Sequence, residues 1–343
     1  VAETLVVSGE TARLALWIVV LASAVVFAVG ALVRAIGYAR QPLHLRWELY
    51  PVPHEPASRA AYGGSRFEGT DWWARPLERD PWNAARAMAR EIALLRGLWE
   101  ANRSLWYRSY PFHLGLYLVV AATKLLLLAA IADIVAPGLR VVEALASIGA
   151  TAGTAGLALA VAGAVALMHW RLTAHEARVY TTPGDITNLA LFIVAFGFLL
   201  GGVVTNGSEA PSGAAVARAV LTLDGAVAVH WPVALGLTLS ALVAAYIPCT
   251  HMAHFVAKYF TYHAVRWDDE PNLGDGRIQR AIATFLTYRP TWSAPHVGAD
   301  GRRTWADVVV MGGLDGPPKP PAGGSEAARD TRAAPRAAEE RHT

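Results

Sequence analysis

Five stretches of the chain, at about 14–33, 111–135, 144–168, 186–204 and 229–254, run for roughly 20 residues or more with almost no Asp, Glu, Lys or Arg. A helix of that length crosses about 30 Å of hydrocarbon, and it satisfies its own backbone hydrogen bonds where water cannot. The expected fold is an all-α membrane protein: a five-helix transmembrane bundle with the N-terminus outside, a large cytoplasmic loop and a cytoplasmic C-terminal extension. Composition agrees, because 54% hydrophobic and 17% charged residues are too apolar a mixture for an ordinary soluble domain. Arg13 gives the first run the look of a secretory signal. Its length of about 20 residues exceeds a signal core, and no convincing small-x-small cleavage site follows before Arg34, so it reads as a real helix.

Basic residues set the orientation. Arg34, Arg40, Arg46, the segment up to Arg108, Arg171, Arg178, Lys258 and Arg266 fall on one side, against Arg140 and Arg218 on the other, so the first side is cytoplasmic. The chain divides into an outer N-terminus with helix one (1–40), a cytoplasmic loop (41–110), the bundle of helices two to five (111–258), a cytoplasmic docking segment (259–312) and a disordered tail (313–343). The loop holds Trp47, Trp72, Trp73, Trp82, Trp99 and Trp106, and about 81–105 reads as an amphipathic helix lying on the membrane or on a partner. The tail, with Pro317-Pro-Lys-Pro-Pro321, is too rich in Gly, Pro and charge to bury a core.

One cysteine, Cys249, excludes an internal disulfide, a cysteine-held iron–sulfur cluster and covalent attachment of heme through Cys-x-x-Cys-His. Eleven histidines make imidazole the available ligand. A formal net charge of +3 and the absence of a recognition motif leave nucleic acid out. No Gly-rich nucleotide loop, nucleophile elbow or His-Glu-x-x-His motif occurs.

On this topology helix two starts and helix five ends at the cytoplasmic face, which sets His113 and His254 at one depth. Two imidazoles so placed can approach one heme iron from opposite faces. His251, three residues before His254, points about 60° away on a continuous helix, and is the alternative ligand or a partner for a heme propionate or a quinone. His169, at the end of helix three, lies at the same depth, so a second heme between His169 and His251 stays open. His230 opens helix five, roughly 36 Å from His254 along an ideal helix, and reads as an interfacial or quinone-site residue. Lys124 lies about 16 Å beyond His113 and within about 20° of the same face, so it is expected to face the interior if His113 does, binding a propionate, orienting a quinone or relaying protons. Asp133 reads as a helix-end residue, and Thr182-Pro-Gly-Asp185 as a turn and helix N-cap.

The motifs Phe112-His-Leu-Gly115, Arg171 to Asp185, and Ile247-Pro-Cys-Thr-His-Met-Ala-His254 resemble the cytochrome b membrane subunits of the respiratory nitrate reductase gamma family. Pro42-Leu-His-Leu-Arg-Trp-Glu-Leu-Tyr-Pro51, Tyr62-Gly-Gly64, Asp71-Trp-Trp73, Leu105-Trp-Tyr-Arg108, Lys258-Tyr-Phe-Thr-Tyr-His263 and Arg266-Trp-Asp-Asp-Glu-Pro271 are most similar to the b-type subunit of the tetraheme cytochrome c transmembrane complex of sulfate reducers. The resemblance implies a heme b held by His113 and His254, with a second heme left open. The family's further ligand on helix two falls at Thr123, and its other ligand maps loosely toward His230. It also implies menaquinone, a cytoplasmic iron–sulfur subunit of the heterodisulfide reductase type, an outer multiheme cytochrome c and the bacterial inner (cytoplasmic) membrane. The function expected is a heme b subunit carrying electrons between menaquinone, or the outer cytochrome, and the iron–sulfur subunit. The alternative is a heme-free membrane anchor or small proton-linked transporter.

Overall fold

The structure is a computed structural model that describes residues 7, 9–41, 51–205, 211–291, 293–294 and 299–311. Pro42–Tyr50, Trp292 and the tail from 312 on lie outside the described residues, and with them the expectations placed there. The described residues form two compact units that part between Asp268 and Asp269.

In the first unit, α1 (Glu10–Ala39) is followed by a one-turn α2 (Ala57–Ala60), α3 (Pro81–Leu94), α4 (Arg96–Ala101), α5 (Arg103–Val135), α6 (Arg140–Thr173), a one-turn α7 (His175–Arg178), α8 (Pro183–Thr205), α9 (Gly213–Thr222), α10 (Trp231–Tyr246) and α11 (His254–Phe260). Five segments, α1, α5, α6, α8 and Trp231–Cys249, are long and apolar enough to cross a bilayer, as expected of a multi-pass membrane protein. Packing runs in the order α5, α6, α8, α10, α1. The core between α5, α6, α8 and α10 is built from Phe112, Leu157, Leu167, Leu189, Phe192 and Val243.

The helix ends differ from the sequence expectation in ways that local chemistry explains. α5 begins eight residues before Pro111, because Asn102 caps it by accepting the Leu105 N–H at 2.9 Å, and Pro111 sits inside the helix. The expected amphipathic helix over 81–105 is three pieces: Leu95 adopts φ 50° and ends α3, and Asn102 separates α4 from α5. α8 starts at a reciprocal cap, in which Thr182 N–H and Oγ1–H donate to Asp185 Oδ2 at 2.9 and 2.8 Å. The fifth span stops short of 254. Ile247–Cys249 and His251–Ala253 are 3₁₀ turns around Pro248, Thr250 is extended (φ −121°, ψ 179°), and His254 opens a new helix. The angle of about 60° between His251 and His254, and the ideal-helix distance from His230 to His254, both assumed one continuous helix and therefore fail.

Small residues let α5 and α6 come close. A Cβ on Gly115 would lie 2.4 Å from Ala160 N, and one on Gly163 2.4 Å from Phe112 N. Packing of this kind replaces the hydrophobic effect, which is absent between helices in lipid. At the opposite end of the bundle from His113, α9 joins α5 and α1. Asp133 pairs with Arg218 at 3.4 Å, and Trp17 Nε1–H donates to the Asp224 carbonyl at 2.9 Å. At the His113 end, Val52, Ala84, Met88, Tyr262 and Trp267 form a small core between α3 and the π-helical turn Thr261–Arg266.

The second unit holds α12 (Arg277–Leu286), the two-residue antiparallel strands β1 (Ser293–Ala294) and β2 (Ala299–Asp300), and α13 (Trp305–Met311). Phe285 stacks on Trp305 at 6.0 Å, and the Trp305 N–H donates to the Tyr288 carbonyl. This strand pair is the only sheet among the described residues, which are otherwise helical or irregular.

Candidate functional site

His113 and His254 come together: their ring centres are 6.3 Å apart and their planes cross at 63°. Different elements deliver them, α5 the one and the first residue of α11 the other. A carbonyl oxygen can only accept, so the contact of His113 Nδ1 with the Ser109 carbonyl at 2.8 Å puts the proton on Nδ1. His254 Nδ1 makes the equivalent bond to the His251 carbonyl at 3.3 Å. Both rings are thereby left with Nε2 as the unprotonated nitrogen, the one free to accept a ligand bond, as where backbone carbonyls orient imidazole ligands.

Apolar packing and one ion pair hold the two rings in place. Phe112 packs edge-on against Phe192 at 5.2 Å, fixing α5 beside α8. Tyr117, one turn past His113, donates its hydroxyl to the Ile92 carbonyl at 2.7 Å and ties α5 to α3. On the other side Lys258, one turn past His254, donates to Glu91 Oε1 at 2.6 Å. Burial of Glu91 works to raise its carboxyl. The bonds from Lys258 and from Gly97 N–H outweigh this and hold it below the usual glutamate range. Sequence reasoning missed this pair, although a signal exists: Ala84, Met88 and Glu91 recur at helical spacing and are all buried, so an acid stands in an apolar stripe.

His251 turns to a different cluster. Its Nε2 lies 3.5 Å from Asp185 Oδ1 and 3.4 Å from Asn188 Nδ2, and Asp185 also faces Arg171 at 3.6 Å. Asn188 is buried, and its Oδ1 finds no partner among the described residues. Exchanging the amide O and N would let that oxygen accept from His251 Nε2–H. His251 thus serves as a polar link among α6, α8 and the turn after α10. His169 is exposed, and its carbonyl accepts the Thr173 hydroxyl at 2.7 Å; no contact joins it to His251 among the described residues.

His230 and Thr123 line one cavity of about 370 Å³ in the opposite half of the bundle, with Leu126, Gly153, Val216 and Leu237. The Thr123 hydroxyl donates to the Val119 carbonyl at 2.9 Å, and among the described residues no second imidazole lines the cavity. These residues do not fit a second heme held by two histidines. Lys124, expected to face inward, is exposed instead. The helix turns its Thr123 and Val119 side to the cavity and its Lys124 side to the surroundings. Among the described residues no group of three or more His, Cys, Asp and Glu is placed to hold a bare metal ion. A macrocycle that supplies four nitrogens needs only two protein ligands. Comparison of the chain with protein families, with curated proteins and with solved structures gave no match.

Proposed function

We propose that the chain is the heme b subunit of a respiratory membrane complex. It carries electrons between menaquinone, or an outer multiheme cytochrome c, and a cytoplasmic iron–sulfur subunit of the heterodisulfide reductase type. The observation that carries the reading is the 6.3 Å separation of the His113 and His254 rings. An imidazole nitrogen sits about 2 Å from a metal, so two imidazoles on opposite faces of one ion stand about 6 Å apart, centre to centre. The Nδ1 bonds to Ser109 and His251 support it further, since they free both Nε2 atoms.

On this reading His113 and His254 would hold heme b, which supplies one-electron chemistry when bound. The chain's own residues orient the ligands and dry the site. Ser109 and His251 fix the ring tautomers, Phe112 and Met252 bring apolar surface, and the Glu91–Lys258 pair anchors α11. The cavity lined by His230 is the proposed quinone pocket. It is apolar apart from a few hydroxyls and an imidazole with no hydrogen-bond partner among the described residues. In the proposed orientation the His113 end of the bundle is cytoplasmic, in a bacterial inner membrane.

A pyridine hemochrome assay with redox titration on the purified chain tests the proposal. One b-type heme per chain is expected, lost in His113→Ala and in His254→Ala and kept in His230→Ala. A chain without a b-type band, or an unchanged spectrum in His113→Ala, removes the assignment.

A further inference from the structure

Beyond Tyr117, the side of α5 that carries Lys124 has no helix against it among the described residues. Ala121, Lys124, Leu128, Ile131 and Val135 recur at alternating steps of three and four residues, and every one is exposed. Such steps keep one face of a helix in register with a second helix along the seam of a left-handed pair. α6 meets the other side of α5, around Gly115 and Ala122.

Lys124 is the only cation between Arg108 and Arg140, and it makes no hydrogen bond or ion pair among the described residues. Nine residues, or about 13 Å of helix, separate it from Asp133, whose carboxylate is taken by Arg218 where α5 leaves its apolar stretch. A lysine stem spans only part of that distance. Side chains on a helix also lean toward its N-terminus, which carries Lys124 away from the nearer boundary. A charge at that depth is costly unless a counter-charge or water meets it. A second copy of this chain on the same stripe would set Lys124 against Lys124, so charge complementarity favours a different protein.

We propose that the exposed stripe from Ala121 to Val135 seats a transmembrane helix of another protein, and that this helix carries an Asp or Glu at the level of Lys124. The proposal does not depend on whether His113 and His254 hold heme. In the membrane such a helix would be positioned by close packing along the stripe and set in register by the buried ion pair.

The test uses the full chain in the membranes of the cells that make it, with a photoreactive benzophenone residue at Leu128 and, as a control on another exposed face, at Val194. The Leu128 probe is expected to form an adduct with one other membrane protein that has an acidic residue inside an apolar span; the Val194 probe is not. Lys124→Met lowers the yield about threefold to tenfold, Lys124→Arg keeps it, and Lys124→Asp loses it. Changing the partner's acid to Lys restores the Lys124→Asp yield. Retention in Lys124→Arg separates a lost contact from a lost fold. Adducts with lipid, with a quinone or heme, or with a second copy alone would overturn the proposal. So would a yield indifferent to Lys124→Met, or a charge swap that fails to restore it.

Discussion

Gly163 on α6 is a point at which the His113 imidazole can be moved without altering either proposed heme ligand. A Cβ on Gly163 would stand 2.4 Å from Phe112 N and 2.7 Å from Phe112 Cα. Ordinary contact between such atoms is about 3.5 Å, so Gly163→Ala must part α5 and α6 by about 1 Å at this level. The atoms met are backbone and cannot rotate away, so the overpacking costs about 1–3 kcal/mol. Phe112 precedes His113, and a metal–imidazole bond of about 2 Å does not stretch by half its length. Gly163→Ala is therefore expected to weaken heme binding about tenfold or more and to lose the low-spin bis-imidazole spectrum. The assay is titration of the purified apo-chain with hemin, followed by its Soret band, beside Gly197→Ala on α8, where a Cβ meets nothing within 4 Å. Parent-like affinity and spectrum in Gly163→Ala would refute the claim that backbone contact between α5 and α6 positions His113.

Glu91→Gln removes the partner of a part-buried Lys258 and is expected to lower stability by about 1–3 kcal/mol near neutral pH, read by thermal unfolding in detergent. Because the folded-state pKa of Glu91 is depressed, its contribution is full above the usual glutamate range and is lost as pH falls through the folded value. The gap between parent and Glu91→Gln should close on acidification, and a pH-independent gap contradicts the ion-pair account. Cys249 is the one cysteine and is exposed, so an impermeant maleimide reports the orientation. Labelling in inverted vesicles but not in spheroplasts is expected, and the reverse pattern inverts the proposed topology. His230→Leu should leave the heme spectrum unchanged while weakening binding of a quinone analogue several-fold, measured by fluorescence quenching. Equal binding moves the quinone away from that cavity.

Helix existence was legible because membrane length and apolarity are local properties: α1, α5, α6 and α8 extend past the apolar runs read from sequence, by as many as eight residues at an end. Helix ends were less legible. Pro111 looked like a start and lies inside α5, since Asn102 supplies the cap; Pro248 lies within the run read as 229–254 and marks the end of regular helix. The pairing of His113 with His254 was readable as a matched depth. Their 6.3 Å approach was not, because it depends on the turn through Thr250 that re-aims His254. Lys124 shows the limit of periodicity: the His113 end of the face they share meets His254, whereas at Lys124 that face meets no helix among the described residues.

By itself, then, the amino-acid order determined five apolar helices, the ligand types on offer and the exclusion of chemistry that needs paired cysteines, all of which follow from composition. Only the tertiary structure decided which imidazoles meet, that His251 goes to Asp185 and Asn188, that Glu91 reaches Lys258 across 167 positions, and that Lys124 looks outward. These outcomes depend on how closely glycines let α5 approach α6 and on where the fifth span breaks. Both are properties of packed backbones, and neither is written in any one stretch of sequence.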